Sequence, residues 1–482
     1  MKHFLTPHDE TVQPRFAPAA ENKPFESGTP QLSIIKGRFM NQHKLLFWSI
    51  TVALAGFLFG FDTVVISGAD QALQEMWQSS SLFHGVVVMS SALWGTVIGA
   101  LFGSIPTDRL GRKKTLILIG FLYIIGAAGS ALVSDPWLFA AFRFLGGLGV
   151  GASTIAAPAY VSEIAPPDKR GRLVAMYQFN IVFGILMAYL SNFMFTSLDL
   201  GANTWRWMLG IQVLPAIIYT LMVLTVPMSP RWLMMKGRYE EARAVLKQIN
   251  PDADFEELAA AAKADSAHKK ESMWLKKYRT PVLLAFLIAF FNQVSGINAF
   301  LYYAPRIFEI AGLEKSAAML SSVGIGIVNL IFTFVGLALI DKFGRRQLMY
   351  IGSFGYIISL GLVSLAFFMH WQGMAVPLFF FLFIAAHAIG QGTVIWVFIS
   401  EIFPGHLRAQ GQSLGSSTHW VLAAAIPAAI PFLFDSIGAA WVFVVFTAMM
   451  VLQLLFVMFM MPETKGVPLE ELSKSLIKED TL

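Results

Sequence analysis

Two charges stand where a greasy sequence has few others. Asp62 lies in Gly60-Phe61-Asp62-Thr63-Val64-Val65-Ile66-Ser67-Gly68, and Arg143 precedes Gly146-Gly147-Leu148-Gly149-Val150-Gly151. Each costs about 2.5–3.5 kcal/mol at the centre of a lipid-embedded helix. Opposite charges this expensive most simply face each other or share one wet cavity. A carboxyl group in apolar surroundings favours the neutral acid, and a nearby guanidinium favours the anion. A group held between those two influences can take up and release a proton as its access changes. The plainer alternative is a static structural ion pair. Mid-run amides are costly as well. They cluster in Asn292-Gln293-Val294-Ser295-Gly296-Ile297-Asn298 and recur at Gln178 and Asn329. Gly296 allows local unwinding or a close backbone approach.

The elements that position these groups are apolar runs. The chain has 482 residues, 56% hydrophobic and 13% charged, against about 25% charged in soluble chains. Twelve stretches are long enough to cross a bilayer: 44–68, 84–106, 114–134, 136–161, 171–197, 205–226, 280–310, 317–340, 346–369, 374–403, 409–434 and 438–461. An even number of spans puts both termini on one side. The ends of these runs are approximate; of 35 Lys and Arg, one lies well inside a span (Arg143) and three at odd-numbered loops (Arg206, Arg306, Lys315). The rest occupy the tails and even-numbered loops, so both termini are expected in the cytoplasm. The net charge of +5 therefore reports topology, and no soluble basic face for nucleic acid is visible. Residues 1–43 do not read as a signal peptide. Zero cysteines exclude disulfide and thiol chemistry.

The chain repeats itself. Asp108-Arg109-Leu110-Gly111-Arg112-Lys113 returns as Asp341-Lys342-Phe343-Gly344-Arg345-Arg346, and Ser162-Glu163-Ile164 with Arg170 returns as Ser400-Glu401-Ile402 with Arg408. Pro227-Met228-Ser229-Pro230-Arg231 is matched by Pro462-Glu463-Thr464-Lys465-Gly466. Two homologous six-span halves follow, in parallel repeat about an axis along the membrane normal. The expected organisation is a tail (1–43), a first bundle (44–226), a linker (227–279), a second bundle (280–461) and a tail (462–482). The linker holds eleven Lys/Arg and eight Asp/Glu. Arg238–Leu246 and Phe255–Leu258 read as short amphipathic helices.

These motifs in this order resemble the major facilitator superfamily. Pro230-Arg231-Trp232-Leu233, Gly296-Ile297-Asn298, Pro462-Glu463-Thr464-Lys465-Gly466 and the doubled Glu–Arg loops resemble its sugar porter family. That family includes bacterial xylose– and arabinose–proton symporters and animal glucose facilitators. The resemblance implies an all-α membrane fold of twelve helices in two bundles. It implies a cell-membrane importer of a monosaccharide, hexose or pentose, by proton symport through alternating access. Alternatives within the family are a passive facilitator and a proton-coupled inositol or polyol symporter. By motif position Asp62 and Arg143 match the proton-coupling pair. Phe59, Gln178, Asn292, Gln293, Asn298, Asn329, Trp396, His419 and Trp420 fall at sugar-contacting positions, with amides to read hydroxyls and aromatics to stack on the ring. Tyr302 and Tyr303 match an outer lid. Asp108, Arg109, Arg112, Glu163, Arg170, Asp341, Arg345, Glu401 and Arg408 form a cytoplasmic gate. Carboxylate–guanidinium pairs that bridge the halves would hold that mouth shut; the alternative is that these loops only anchor topology and cap helices.

The sequence departs from the family at three places. His419 stands where Asn or Gln is usual, His387 where an aromatic is common, and Thr393 where proline often follows Gly392. The missing proline weakens the case for a sharp break in span ten. His387 reads first as a satisfied hydrogen-bonder. No His-x3-His, His-Glu-x2-His, cysteine cluster or Gly-x-Ser-x-Gly elbow is present, so an enzyme is not expected. No cofactor is implied beyond the proton as coupling ion, and the partners are sugar, protons and lipid, with one chain as the working unit. An offset of 236 carries Asp62 to Asn298 and Gly60 to Gly296. One half keeps an acid where the other keeps an amide.

Overall fold

Backbone N–H and C=O groups find no water in lipid, so a spanning segment must bond them internally, and this chain does so with helices. The computed structural model describes residues 30–165, 170–249, 255–256, 258–259 and 271–477. Among the described residues, twelve helices are long and apolar enough to cross a membrane. The first six are α1 (His43–Gly68), α2 (Ser81–Phe102), α3 (Arg112–Leu132), α4 (Pro136–Ile164), α5 (Ala175–Leu198) and α6 (Gly201–Thr225). The second six are α7 (Lys276–Ile310), α8 (Lys315–Phe343), α9 (Arg345–Phe368), α10 (Ala375–Ile402), α11 (Arg408–Ile437) and α12 (Ala439–Phe459). All twelve coincide with expected runs. Span two ends at Phe102 rather than at 106, and a short helix, Ser104–Arg109, leads into the charged loop.

Packing follows the repeat. In the first bundle α1 lies on α5, α2 on α4, and α3 on α6; in the second α7 lies on α11, α8 on α10, and α9 on α12. The bundles meet along two matched seams, α5 with α8 and α2 with α11. The glycine run of α4 serves this packing. A Cβ on Gly147 would run into the Ala92 carbonyl of α2, and one on Gly126 would meet the Gly146 backbone 2.8 Å away. With the hydrophobic effect weak between helices in lipid, such close approach supplies the contact energy.

The linker divides its attachments. Ser229 caps the helix Pro230–Met235, accepting a hydrogen bond from the Trp232 N–H, and Trp232 Nε1 donates to the Asp108 carbonyl at 2.9 Å. Trp232, Leu233, Met234 and Ala242 form a small buried cluster with the helix Tyr239–Ile249. Farther on, Gln410 Nε2 donates to the Glu271 carbonyl at 2.7 Å, and the Met273 N–H donates to Gln410 Oε1 at 3.2 Å. The linker's start therefore docks on the first bundle and its end on the second.

Gly147→Val should wedge α4 away from α2. The expected result is a thermal transition in detergent lowered by several degrees and a reduced monodisperse yield. Gly405→Val, where a Cβ meets nothing within 4 Å, should match the parent in both measurements.

Candidate functional site

Asp62 and Arg143 meet. Arg143 Nη1 lies 2.6 Å from Asp62 Oδ1, and Nη2 donates to the Asp62 backbone carbonyl at 3.1 Å. Both residues are almost fully buried, at 3% and 1% exposure. Helices α1 and α4 are neighbours because small residues line the approach; a Cβ on Gly146 would stand 3.9 Å from Asp62 Oδ1. Arg143 Nε is buried without a hydrogen-bond partner. Removing either charge would strand the other in this dry interior, at a cost of about 3–5 kcal/mol.

The amide cluster forms where α7 breaks. Its two helices, Arg279–Val294 and Ile297–Ile310, meet at Gly296, whose φ is +84°. That left-handed angle favours glycine, and a Cβ there would stand 2.8 Å from the Phe446 ring. The break brings residues on both sides of it together. Asn298 Nδ2 donates to Gln293 Oε1 at 2.7 Å. Gln293 Nε2 reaches Asn292 Oδ1 at 2.8 Å and His419 Nδ1 at 3.0 Å. Aromatic rings frame these groups: Trp396 and Trp420 lie 5.3 Å and 4.9 Å from the His419 ring, and Phe59 lies 5.5 Å from Trp420. The arrangement offers amide and imidazole donors and acceptors beside flat apolar faces from both bundles.

Other expected residues fall differently. Asn292 turns into the second bundle, where its Nδ2 lies 3.5 Å from Gln391 Oε1; Gln391 donates to Gln453, and Gln453 to Ser353. Gln178 is half-buried and Asn329 buried, and neither is hydrogen-bonded to the Gln293 cluster among the described residues. Tyr302 is buried beside Tyr303, whose hydroxyl donates to the Pro427 carbonyl at 3.0 Å. His387 is indeed a satisfied hydrogen-bonder, its Nδ1 lying 2.6 Å from the Tyr356 hydroxyl. Span ten breaks at Gly390, between Ala375–Ile389 and Gln391–Ile402. The bend needs no proline, and the Thr393 hydroxyl donates to the Ala388 carbonyl across it.

The duplicated charges pair in an unforeseen way. Glu163 takes Arg112 at 2.9 Å and accepts from the Ser229 hydroxyl at 2.5 Å. Its counterpart Glu401 takes Arg345 at 2.8 Å and accepts from the Thr464 hydroxyl at 2.6 Å. Asp108 and Asp341 add weaker, exposed pairs to the same arginines at 3.1 and 3.4 Å. Each set closes within one bundle and does not bridge the halves. Arg408 makes no described bond to Glu401, whose carboxylate takes Arg345 and Thr464; the Arg170 side chain lies outside the described residues. Arg109 is exposed. Gly111 and Gly344 sit at φ +91° and +90°, which turns the chain so that the following arginine faces its glutamate. Burial opposes ionisation of Glu463. Backbone N–H groups of Lys465, Arg345, Arg346 and Thr464 nevertheless bond its carboxylate and hold it below the usual carboxylate range.

The described hydrogen bonds and ion pairs between the bundles lie on the opposite face. Tyr189 donates to the Leu301 carbonyl at 2.8 Å, Arg306 engages Asp70 and Gln74, and Ser81 donates to Asp435. Sequence reading missed this group. Ser229 and Thr464 were also missed as partners, although their offset of 464 − 229 = 235 was a usable signal.

Twelve helices in two matched bundles with a polar centre and charged loops on one face define a major facilitator fold. The family model described as "Sugar (and other) transporter" matches residues 48–476, and the chain belongs to that family of transporters. It is 35% identical over 439 residues to the arabinose-proton symporter of Bacillus subtilis, spanning 89% of this chain and 94% of that one. The inward open conformation of the xylose transporter XylE from E. coli superposes with a TM-score of 0.79 at 30% identity, over 89% of this chain and 99% of that one. The proton:xylose symporter XylE bound to 6-bromo-6-deoxy-D-glucose gives 0.73 at 30% identity, over 91% and 100%.

The depressed Glu463 carboxylate stabilises the fold above its ordinary value of 4.5 and loses that contribution as pH falls through its folded value. Glu463→Gln should therefore lower the thermal transition at neutral pH. The difference from the parent should shrink in scans below about pH 4.5.

Proposed function

We propose that this chain imports a monosaccharide with a proton by alternating access between its two bundles. The buried Asp62–Arg143 pair carries this reading. It is the membrane-embedded acid whose charge is balanced by one partner, and it sits in the bundle that lacks the amide cluster. Protonating Asp62 frees Arg143, and releasing the proton restores the pair. The switch is therefore local to the α1–α4 contact, and α1 also carries Phe59 to the aromatic frame around His419. Gln293, Asn298 and His419 supply the hydroxyl-reading groups, Trp396, Trp420 and Phe59 the stacking faces, and Asn292 the support that orients Gln293. Gln178 and Asn329 complete the site from α5 and α8 when sugar draws the bundles together. The 94% coverage of an arabinose-proton symporter supports both sugar and proton.

The charged-loop face lies in the cytoplasm, by the distribution of Lys and Arg. The TM-score of 0.79 to an inward open structure, with the bonds between the bundles on the face opposite the charged loops, supports an inward-facing state here. In that state the Arg112–Glu163 and Arg345–Glu401 sets rest within their own bundles, free of the opposite half. One proton moving down 100 mV and half a pH unit yields about 3 kcal/mol, enough for roughly 10²-fold accumulation of a neutral sugar.

Asp62→Asn in proteoliposomes should abolish sugar accumulation while sugar exchange continues. Sugar-dependent proton uptake, measured across pentoses, hexoses and inositol, should vanish with it. Accumulation that survives the substitution sinks the coupling role. Asn298→Ala should weaken sugar binding about tenfold, the loss of roughly 1.4 kcal/mol, read as sugar quenching of tryptophan fluorescence. An unchanged affinity would remove Asn298 from the site.

A further inference from the structure

A second buried acid lies far from Asp62, on the outer face. Asp70 begins the short helix Asp70–Trp77 that follows α1, and it is 1% exposed. Its Oδ1 lies 2.6 Å from His84 Nε2, and its Oδ2 lies 2.8 Å from Arg306 Nε. His84 opens a π-helical turn at the start of α2 and is fully buried, with Nδ1 unpartnered. Arg306 also donates to Gln74 and lies 5.9 Å from the Tyr303 ring centre. Asp70, Gln74 and His84 belong to the first bundle, and Arg306 belongs to the second.

Arg306 sits on the helix Ile297–Ile310, the half of α7 that begins at the Gly296 hinge. It lies eight residues beyond Asn298, about 12 Å along the helix axis. The same half-helix carries Tyr302, Tyr303 and the Leu301 carbonyl that Tyr189 bonds. Its base therefore holds an amide of the central cluster, and its top is clamped to the first bundle by charge. Within the first bundle, His84 and the dry surroundings fix Asp70 in place. Only the Arg306 side of the cluster crosses between the bundles.

We propose that Asp70, His84 and Arg306 form an outer latch. Arg306 locks the upper half of α7 over the outward mouth, and His84 holds Asp70 to receive it. The three act as positioning residues for the transport cycle. The lock is closed when the inner face is open, and the outward-open state requires Arg306 to leave Asp70. Asp70 then keeps His84 as its partner, so opening parts one ion pair and leaves the first bundle's share of the cluster intact. This inference rests on the alternating-access reading and on the orientation proposed above.

The chain has no cysteine, so two introduced cysteines carry the only spin labels. Leu132 and Met369 are exposed at the outer ends of α3 and α9. With Leu132→Cys and Met369→Cys labelled by nitroxides, electron–electron distance measurements report the outer opening. The sugar-free parent should favour the shorter distance and shift on adding a transported sugar. Asp70→Asn keeps the size and the acceptor for His84, and Arg306→Gln keeps most of the side chain. Each should raise the ratio of longer to shorter distances by about tenfold or more. Each should also lower the half-saturating external sugar concentration while lowering the maximal uptake rate, a split that loss of folded protein alone does not produce. A parent that switches, beside folded variants with unchanged distances and half-saturation, overturns the latch alone. A parent with one sugar-insensitive distance overturns alternating access and the latch with it.

Discussion

Lipid penalises every polar group that fails to find a partner inside the protein. In this chain that constraint separates the ordinary from the purposeful. Backbone groups are satisfied by twelve helices, and small residues let those helices approach until dispersion holds them. Among the polar groups that remain in the interior are the Asp62–Arg143 pair, the amides around Gln293, the Gln391–Gln453–Ser353 chain and the Asp70 cluster. Each is held by partners inside the protein, although Arg143 Nε and His84 Nδ1 are left without one. Each also sits at a point where helices of the repeat meet or break.

The repeat is faithful at its rim and broken at its centre. Arg112–Glu163–Ser229 and Arg345–Glu401–Thr464 are the same three-part contact, made at the same helix ends with a positive-φ glycine before each arginine. These contacts stiffen each bundle as a unit, which a rocking machine needs before its halves can move as bodies. The centre obeys a different rule. The offset that relates Glu163 to Glu401, 238, carries Arg143 to Phe381 (143 + 238 = 381), while Asp62 maps to Asn298. Acid and base are lost together in the second bundle, so neither is left unpaired in lipid. Electrical chemistry is confined to one half and neutral hydrogen bonding to the other.

Much of this was legible in the sequence for physical reasons. Hydropathy and length mark spans because lipid permits no cheaper solution, and opposite charges in two apolar runs must find each other. The Gly296 break was foreseen because glycine stands between amides that need re-aiming. The gate pairings were not, because the expected pairs bridge the halves and the observed ones close within each bundle. In the fold, Glu163 ends α4 beside the start of α3, so Arg112 reaches it across 51 residues of chain. The Asp70, His84 and Arg306 contact was equally hidden. Its members come from three segments, and nothing local announces that α7 and the end of α1 abut. Span ten bends at Gly390 without the proline that would have signalled it, since glycine alone gives way where neighbouring bonds, such as Thr393 to Ala388, hold the bend.

The bond from Tyr189 to the Leu301 carbonyl has a consequence for how such a protein changes over generations. A carbonyl oxygen belongs to the backbone and is present whichever amino acid occupies the position. Substitutions at 301 leave the acceptor in place, so the seam between α5 and the upper half of α7 survives drift in the side chains around it. The neighbouring positions on that half-helix, among them Asn298 and Tyr302, can then change without first dismantling that bond. Selection can retune what the chain accepts while its closure is inherited unchanged.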